Sequence, residues 1–269
     1  MGVSEIKTLK TLKEMTFPTF VVKEGDFTCP VHGIVKNKYI EKSDGTIQWD
    51  TCPLCLQEKE KEEERKQQEK ARIAERERWV TYRIKPKFFD LWFDNFNAYN
   101  DSLKKALSLV QDIAFSKSNR SLVLLGSNGL GKSMLSSIAL KFRGGAIYKM
   151  YEIIMRIKAS YKSTSTESEQ DILTELATLP LLVIDEVGRS FGSDTEKNWL
   201  SYVIDERYED SLPTILISNL KKQSDCSEEE KREGLYIEHY LGKDSVSRLA
   251  ECADIVYVTG YDYRRQNKA

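Results

Sequence analysis

From residue 121 onward the chain contains five short apolar runs, separated by stretches in which apolar residues recur every three or four positions. Uninterrupted apolar runs are typical of parallel strands buried on both faces, and the recurring pattern is typical of amphipathic helices. This alternation predicts a three-layer α/β domain built on a parallel five-stranded sheet. The predicted strands cover residues 121–125, 146–151, 181–186, 214–218 and 254–259.

A different pattern precedes this region. Residues 38–40 and 46–49 flank Ser43-Asp44-Gly45, which predicts a β-hairpin with an Asp-Gly turn. From Leu56 to Arg78 nearly every residue is Glu, Lys, Arg or Gln, with opposite charges four positions apart and no apolar stripe. That composition predicts a solvated helical linker. The aromatic residues at 88–96 are expected to pack in the core rather than to stack on bases. The predicted domains are residues 1–55, 56–87 and 88–269.

The first apolar run leads into a glycine-rich sequence. Residues 126–133 read G-S-N-G-L-G-K-S between a predicted strand and a predicted helix, which is the setting of a phosphate-binding loop. The backbone N–H groups of such a loop converge on the phosphates of a nucleotide at a helix N-terminus. Lys132 is expected to reach the β- and γ-phosphates, and the Ser133 hydroxyl to bind Mg²⁺. The predicted nucleotide-binding residues are Gly126, Ser127, Asn128, Gly129, Leu130, Gly131, Lys132 and Ser133.

Polar side chains end two other predicted strands. Asp185 and Glu186 close the run at 181–186, and Asn219 follows the run at 214–218. At the carboxyl end of a buried strand, Asp185 can hold Mg²⁺ and Glu186 can activate the attacking water. Asn219 can hydrogen-bond that water or the γ-phosphate. The two acids downstream of a phosphate loop favour a nucleotide hydrolase over a protein that only binds nucleotide.

Four metal-ligand side chains lie near the N-terminus. Cys29 and His32 form one pair and Cys52 and Cys55 another, each with two residues between its members. The pairs are separated by the 19 residues from Gly33 to Thr51. This spacing predicts a closed tetrahedral Zn²⁺ site in a zinc-ribbon-like module, with a structural role because no ligand position remains for water.

Composition adds few constraints. The net charge is −1 at pH 7 and no apolar run is long enough to span a bilayer, so neither a nucleic-acid partner nor a membrane partner follows from composition. The N-terminal residues lack the apolar core of a secretory signal. We therefore expect a cytoplasmic protein in which the five cysteines form no disulfides.

Taken in order, these motifs resemble those of the AAA+ ATPases in the group of DnaC and DnaI helicase loaders and IstB proteins. The resemblance covers residues from about 88 to 265. It is carried by the phosphate loop, L-L-V-I-D-E-V-G at 181–188, the helix at 199–208 with its D-x-R-Y ending, P-T-I-L-I-S-N-L at 213–220, and Leu241-Gly242 with Ser247-Arg248-Leu249.

The resemblance implies ATP and Mg²⁺ as ligands and assigns roles to individual residues. Lys132 and Ser133 take the Walker A roles, Asp185 and Glu186 the Walker B roles, and Asn219 the sensor 1 role. Arg248 looks like an arginine finger that stabilises γ-phosphate charge in a neighbouring subunit. Arg264 matches sensor 2, also at the nucleotide. The chain departs from many loaders in having Asp244, where they often carry a second arginine.

The predicted zinc module favours the DnaI-type arrangement, in which a zinc-binding domain precedes the AAA+ domain. The leading hypothesis is an ATP-dependent loader, from a bacterium or a phage, that places a DnaB-type hexameric replicative helicase on single-stranded DNA. A homo-oligomer is expected in the ATP-bound state. Two alternatives remain: an IstB-like transposition ATPase that acts on DNA with a transposase, and a zinc-dependent adaptor that binds ATP with little turnover.

Overall fold

The computed structural model describes residues 21–42, 44–189 and 192–263 of the 269-residue chain. These residues form two compact units, one ending at Ile73 and the other beginning at Ala74. The division falls inside one helix, α1 (Pro53–Thr81), most of whose side chains are exposed. Within the described ranges, no helix has both the length and the apolar character needed to cross a membrane.

The N-terminal unit is built on a three-stranded antiparallel sheet of β1 (Val22–Cys29), β2 (Gly33–Glu41) and β3 (Ile47–Trp49). β2 and β3 form the predicted hairpin, in which the Asp44 carboxylate accepts a hydrogen bond from the Thr46 N–H at 2.9 Å. Ser43 of the predicted turn lies outside the described residues. β1 was not predicted, because charged residues interrupt its apolar alternation.

The C-terminal unit contains the predicted parallel sheet. Its strands are β4 (Ser121–Leu125), β5 (Ala146–Lys149), β6 (Leu182–Val187), β7 (Thr214–Ser218) and β8 (Ala253–Tyr257), arranged in the order β5-β6-β7-β4-β8. The five-stranded parallel sheet is therefore confirmed.

The predicted end of the second strand was wrong. Helix α4 (Met150–Ser160) begins where the sequence predicted two more strand residues. Met150, Ile153, Ile154 and Ile157 are all buried. Their spacing is helical, so burial of one helix face takes precedence over the strand propensity of the apolar run.

Helices cover both faces of this sheet. One core layer contains α2 (Asp101–Ala114), α3 (Lys132–Arg143) and the buried rings of Phe93 and Phe96. The other contains α4, α5 (Glu169–Thr178), α6 (Asp194–Glu209) and α8 (Ile237–Cys252), and the short α7 (Glu228–Arg232) precedes α8. The burial of Phe93 and Phe96 agrees with the prediction that aromatic residues in this segment pack in the core.

Candidate nucleotide site and metal site

The loop between β4 and α3 has the backbone conformation that phosphate binding requires. Gly126, Gly129 and Gly131 have φ angles of 129°, 79° and 81°, which disfavour residues with a side chain. A Cβ atom at Gly126 would lie 2.1 Å from the carbonyl oxygen of Val258. Helix α3 begins at Lys132, directly after the loop, so its N-terminal N–H groups face the place where phosphates would bind.

The Lys132 ammonium group is buried beside this loop. Its Nζ donates hydrogen bonds to the carbonyl oxygens of Gly126 and Ser127, both at 2.7 Å, and to Asn219 Oδ1 at 3.3 Å. The Asn219 Nδ2 donates to Asn128 Oδ1 at 2.9 Å. Asn219 therefore connects the end of β7 to both the lysine and the loop.

Ser133 and Asp185 are also in contact. The Ser133 hydroxyl donates to Asp185 Oδ2 at 2.6 Å, and Asp185 Oδ1 accepts the Glu186 N–H at 2.8 Å. A hydroxyl oxygen and a carboxylate oxygen are the hard ligands that Mg²⁺ prefers. The donor set at this point therefore fits Mg²⁺.

Glu186 lies at an irregular point of β6. Its φ angle is 59°, and one extra residue separates the pairing of Ile184 with β7 from the pairing of Val187 with β7. A bulge of this kind changes the direction of a side chain and is common beside active sites. The Glu186 carboxylate forms ion pairs with Lys149 Nζ at 2.9 Å and Arg189 Nη1 at 3.4 Å.

Burial of Glu186 raises the pKa of its carboxyl, but the cations around it have the larger combined effect. The hydrogen bond from Lys149 and the charges of Lys149, Arg189 and Lys85 hold the pKa of Glu186 below its usual value. The carboxylate is therefore ionised at neutral pH. It is in the form that accepts a proton.

Residues of the predicted nucleotide site line one cavity of about 250 Å³. Lys132, Ser133, Asp185, Glu186 and Asn219 all line it, although their predictions came from three separate stretches of sequence. Their meeting follows from the parallel sheet, because β4, β6 and β7 are neighbours and their carboxyl ends lie at the same edge.

The last described residues also reach this cavity. The Tyr263 N–H donates to the carbonyl oxygen of Gly129 at 3.2 Å, and Tyr263 is one of the residues that line the cavity. The carboxylate of Asp262 lies against Gly129. Arg264 lies outside the described residues, so its sensor 2 role stays a prediction.

Arg248 is not among the residues that line this cavity. It lies on α8, where its Nε donates to Asp205 Oδ1 at 3.3 Å and its guanidinium carbon lies 5.1 Å from the centre of the Tyr208 ring. Its side chain is 45% exposed, so it can contact another subunit.

The four predicted zinc ligands of the N-terminal unit converge. Their ligand atoms all lie within 4.8 Å of one another. His32 Nδ1 is 3.7, 3.8 and 3.3 Å from the sulfurs of Cys29, Cys52 and Cys55, and the sulfurs of Cys29 and Cys55 are 3.5 Å apart. A tetrahedral Zn²⁺ with ~2.3 Å bonds to sulfur would have ligand-to-ligand distances of about 3.8 Å. The residues therefore fit Zn²⁺.

Polar contacts surround two of these ligands, Cys29 and His32. The backbone N–H groups of His32 and Val31 lower the pKa of Cys29 to about 6, which favours the thiolate that binds metal. His32 Nε2 lies 3.1 Å from Glu58 Oε1. A proton on Nε2 that is donated to Glu58 leaves the Nδ1 lone pair directed at the three sulfurs.

Sequence reasoning did not identify Lys149 or Glu58 as functional residues. Lys149 lies at the carboxyl end of β5 and pairs with Asp185 in the sheet register, so a basic residue ending the second strand was a usable signal. Glu58 is one of many glutamates in α1, and nothing in that repetitive sequence distinguishes it.

Residues 48–269 match the family model of IstB-like ATP-binding proteins. The chain belongs to that family. Among proteins similar to this IstB-like chain, the replicative helicase loader DnaC of Buchnera aphidicola (strain APS) is 26% identical over 144 residues, which cover 51% of this chain and 58% of that protein. The DnaC loader of Escherichia coli (strain K12) is 27% identical over 143 residues, with the same coverage. The IstB-like chain thus spans less than two thirds of the length of these relatives.

Solved structures show the fold of this IstB-like protein. The crystal structure of the DnaC helicase loader matches with a TM-score of 0.52 at 22% identity, covering 65% of this chain and 100% of that one. The replication initiator DnaA bound to AMPPCP and single-stranded DNA matches with a TM-score of 0.50 at 16% identity, covering 65% of this chain and 51% of that one. The predicted AAA+ fold and the resemblance to the DnaC and IstB group are confirmed.

Proposed function

We propose that this protein hydrolyses ATP and uses the cycle to load a DnaB-type hexameric replicative helicase onto single-stranded DNA. The observation that carries the ATPase proposal is the convergence of Lys132, Ser133, Asp185, Glu186 and Asn219 on one cavity beside a phosphate loop. Relatives named as replicative helicase loaders support the choice of partner. The proposal places the protein in the cytoplasm, where replication proteins act.

Each residue of the cavity has a role in this proposal. The loop N–H groups from Gly126 to Ser133 hold the phosphates, and Lys132 moves from the loop carbonyls to the β- and γ-phosphates. Bound Mg²⁺, held by Ser133 and Asp185, would neutralise charge on the phosphate oxygens. Glu186 takes a proton from the attacking water, and Asn219 orients that water. Removal of the proton makes the water oxygen a stronger nucleophile toward the γ-phosphorus.

Lys149 restrains the base through an ion pair. Its ammonium group holds the Glu186 carboxylate at 2.9 Å, so part of the carboxylate's capacity to accept a proton is already used. Proton transfer from water requires this ion pair to loosen. Glu186 is therefore ionised, as a general base must be, but its carboxylate is paired with Lys149 until that ion pair loosens.

The complete site needs a second subunit. Arg248 lies on the surface, away from the cavity of its own chain, and we propose that it stabilises γ-phosphate charge in a neighbouring protomer of an ATP-bound homo-oligomer. Arg264 is proposed to act at the nucleotide as sensor 2.

The N-terminal residues 1–55 are proposed to be a zinc-binding module that recognises the helicase. Residues 56–87 are proposed to be a charged linker, and residues 88–269 the ATPase domain. Cys29, His32, Cys52 and Cys55 would bind Zn²⁺, which stabilises a unit with little apolar core. Because these four side chains fill a tetrahedral site, the metal has no open position for chemistry.

Replacement of Glu186 by glutamine should slow hydrolysis strongly while ATP still binds. The amide keeps the shape of the side chain but cannot accept the proton, so we expect kcat to fall by about 10²-fold with little change in the Kd for ATP. Steady-state turnover and nucleotide titration measure the two effects. Glu209→Gln, which makes the same chemical change at an exposed glutamate outside the cavity, is the control. Normal turnover in Glu186→Gln would contradict the assignment of the base.

Replacement of Cys52 by serine should remove the metal and the helicase contact together. Three ligands hold Zn²⁺ far more weakly than four, so we expect loss of stoichiometric zinc and of helicase capture, with basal ATP hydrolysis retained. Metal analysis, pull-down and ATPase assays on the full chain measure these outcomes. Cys226→Ser, at a buried cysteine outside the cluster, is the matched control. Helicase binding by a zinc-free Cys52→Ser protein would contradict the division of roles.

The family name favours one second candidate, an IstB-like ATPase that acts on duplex DNA with a transposase. A reconstituted loading assay separates the two functions. The full chain, ATP, a purified DnaB-type helicase and a single-stranded DNA circle should give helicase bound to the circle and unwinding of an annealed oligonucleotide. Absence of loading, combined with ATP-dependent binding to duplex DNA and to a transposase, would favour the transposition function instead.

A further inference from the structure

The carboxyl-terminal turn of α6 places its side chains on two sides. The sequence there is Asp205-Glu206-Arg207-Tyr208, and Arg207 points into the core, where it is 1% exposed. Asp205 and Tyr208 are three positions apart and therefore share one face of the helix. Both contact Arg248 on α8, the neighbouring helix in the same core layer.

The contact to Asp205 uses only part of the Arg248 guanidinium. Nε donates to the Asp205 carboxylate at 3.3 Å, and no other hydrogen bond of Arg248 occurs within the described part of the chain. Its two terminal nitrogens therefore keep their capacity to donate hydrogen bonds. Those nitrogens form the fork with which arginine binds phosphate oxygens.

Tyr208 contacts the guanidinium through its ring. The guanidinium carbon lies 5.1 Å from the ring centre, within the range of a cation–π contact. Interaction of the Tyr208 hydroxyl with Glu251 raises the pKa of Tyr208. Arg248 is thus held at Nε by Asp205, and its guanidinium carbon lies over the ring of Tyr208.

We propose that Asp205 and Tyr208 are positioning residues, which orient Arg248 so that its terminal nitrogens reach the γ-phosphate bound to the neighbouring subunit. This inference rests on the proposed role of Arg248 as an arginine that acts between subunits. The physical reason is pre-organisation: an exposed arginine samples many rotamers, and ordering it before assembly lowers the entropic cost of forming the contact. A displacement of about 1 Å at a reacting group can change a rate by about 10²-fold.

The test compares full-length Asp205→Ala with wild type at protein concentrations where ATP-bound wild type assembles. Asp205→Ala should lower assembly-dependent kcat by about 10- to 100-fold, while the KM for ATP, assembly by light scattering and thermal stability stay unchanged. Asp205→Glu, which keeps the acceptor, should recover part of the loss. Glu206→Ala is the control, since it removes an exposed acid from the same helical turn.

Mixed assemblies separate positioning in the neighbour's site from a structural role. Asp205→Ala subunits keep a working nucleotide site, whereas Lys132→Ala subunits keep a working Arg248, so mixing them should restore turnover above either variant alone. Asp205→Ala combined with Arg248→Ala should be no slower than Arg248→Ala alone. Wild-type kcat in Asp205→Ala, with Arg248→Ala inactive, overturns the positioning role only. Wild-type kcat in both variants overturns the proposed role of Arg248 itself.

Discussion

Replacement of Lys132 by alanine is expected to lower kcat/KM for ATP hydrolysis by at least about 10³-fold. The ammonium group lies within the phosphate loop, where it donates hydrogen bonds to the carbonyl oxygens of Gly126 and Ser127. A positive charge at transferring phosphate oxygens contributes about 10²–10³-fold through the transition state alone. The same charge also contributes to nucleotide binding, so both kcat and KM should change.

Steady-state kinetics and isothermal titration with a non-hydrolysable ATP analogue separate the two contributions. Lys104→Ala is the matched control, because Lys104 is an exposed lysine on α2 that does not line the cavity. Circular dichroism shows whether the variant folds, since Lys132→Ala leaves two loop carbonyls without their donor. A folded Lys132→Ala protein with normal turnover would refute the proposed site.

The sequence was sufficient to predict the parts of the site whose signal is local. The phosphate loop depends on glycines at fixed positions, and the acids at Asp185 and Glu186 follow directly from the strand that carries them. Their meeting in one cavity followed from a general property of parallel sheets. The same property was enough to predict that Asn219 lies near the loop.

The contacts that could not be predicted depend on tertiary register. Lys149 contacts Glu186 because β5 pairs with β6, and no sequence spacing states which strands are neighbours. Glu58 contacts His32 because one turn of a uniformly charged helix lies beside the metal ligands. The apolar run that includes residues 150 and 151 is compatible with a strand or with a helix, and the sequence alone favours the strand. In the structure these residues begin helix α4, because the helix buries one of its faces.

Arg207 is the clearest case of a residue whose role depends on the fold. In the sequence it stands in a helix among charged residues, as a surface arginine would. In the structure all three of its nitrogens donate to acceptors, all but one of them fully buried. Burial lowers the pKa of Arg207 to about 9, which still leaves it protonated at neutral pH. The acceptors are Thr214 Oγ1 and the carbonyl oxygens of Leu176, Ala177, Leu179 and Pro213.

Replacement of Arg207 by methionine is expected to lower the free energy of unfolding by at least about 3 kcal/mol. Methionine fills much of the same space but donates no hydrogen bond, and each buried acceptor left without a donor costs about 1–3 kcal/mol. The carbonyls at the end of α5 and the start of β7 would lose a shared partner, so the loss should exceed that of an ordinary core substitution. Urea unfolding followed by circular dichroism gives the midpoint and the slope from which this free energy is obtained.

Arg248→Met is the matched control, because it makes the same chemical change at an arginine that is 45% exposed and has one hydrogen bond. Exposed ion pairs contribute about 0–1 kcal/mol, so the control should remain close to wild type. Equal stability of the two variants would mean that apolar packing replaces the Arg207 hydrogen bonds at no cost, as happens at some buried charged sites. A large loss confined to Arg207→Met would instead identify the arginine of the D-x-R-Y ending as the anchor of α6, from which Asp205 and Tyr208 reach Arg248.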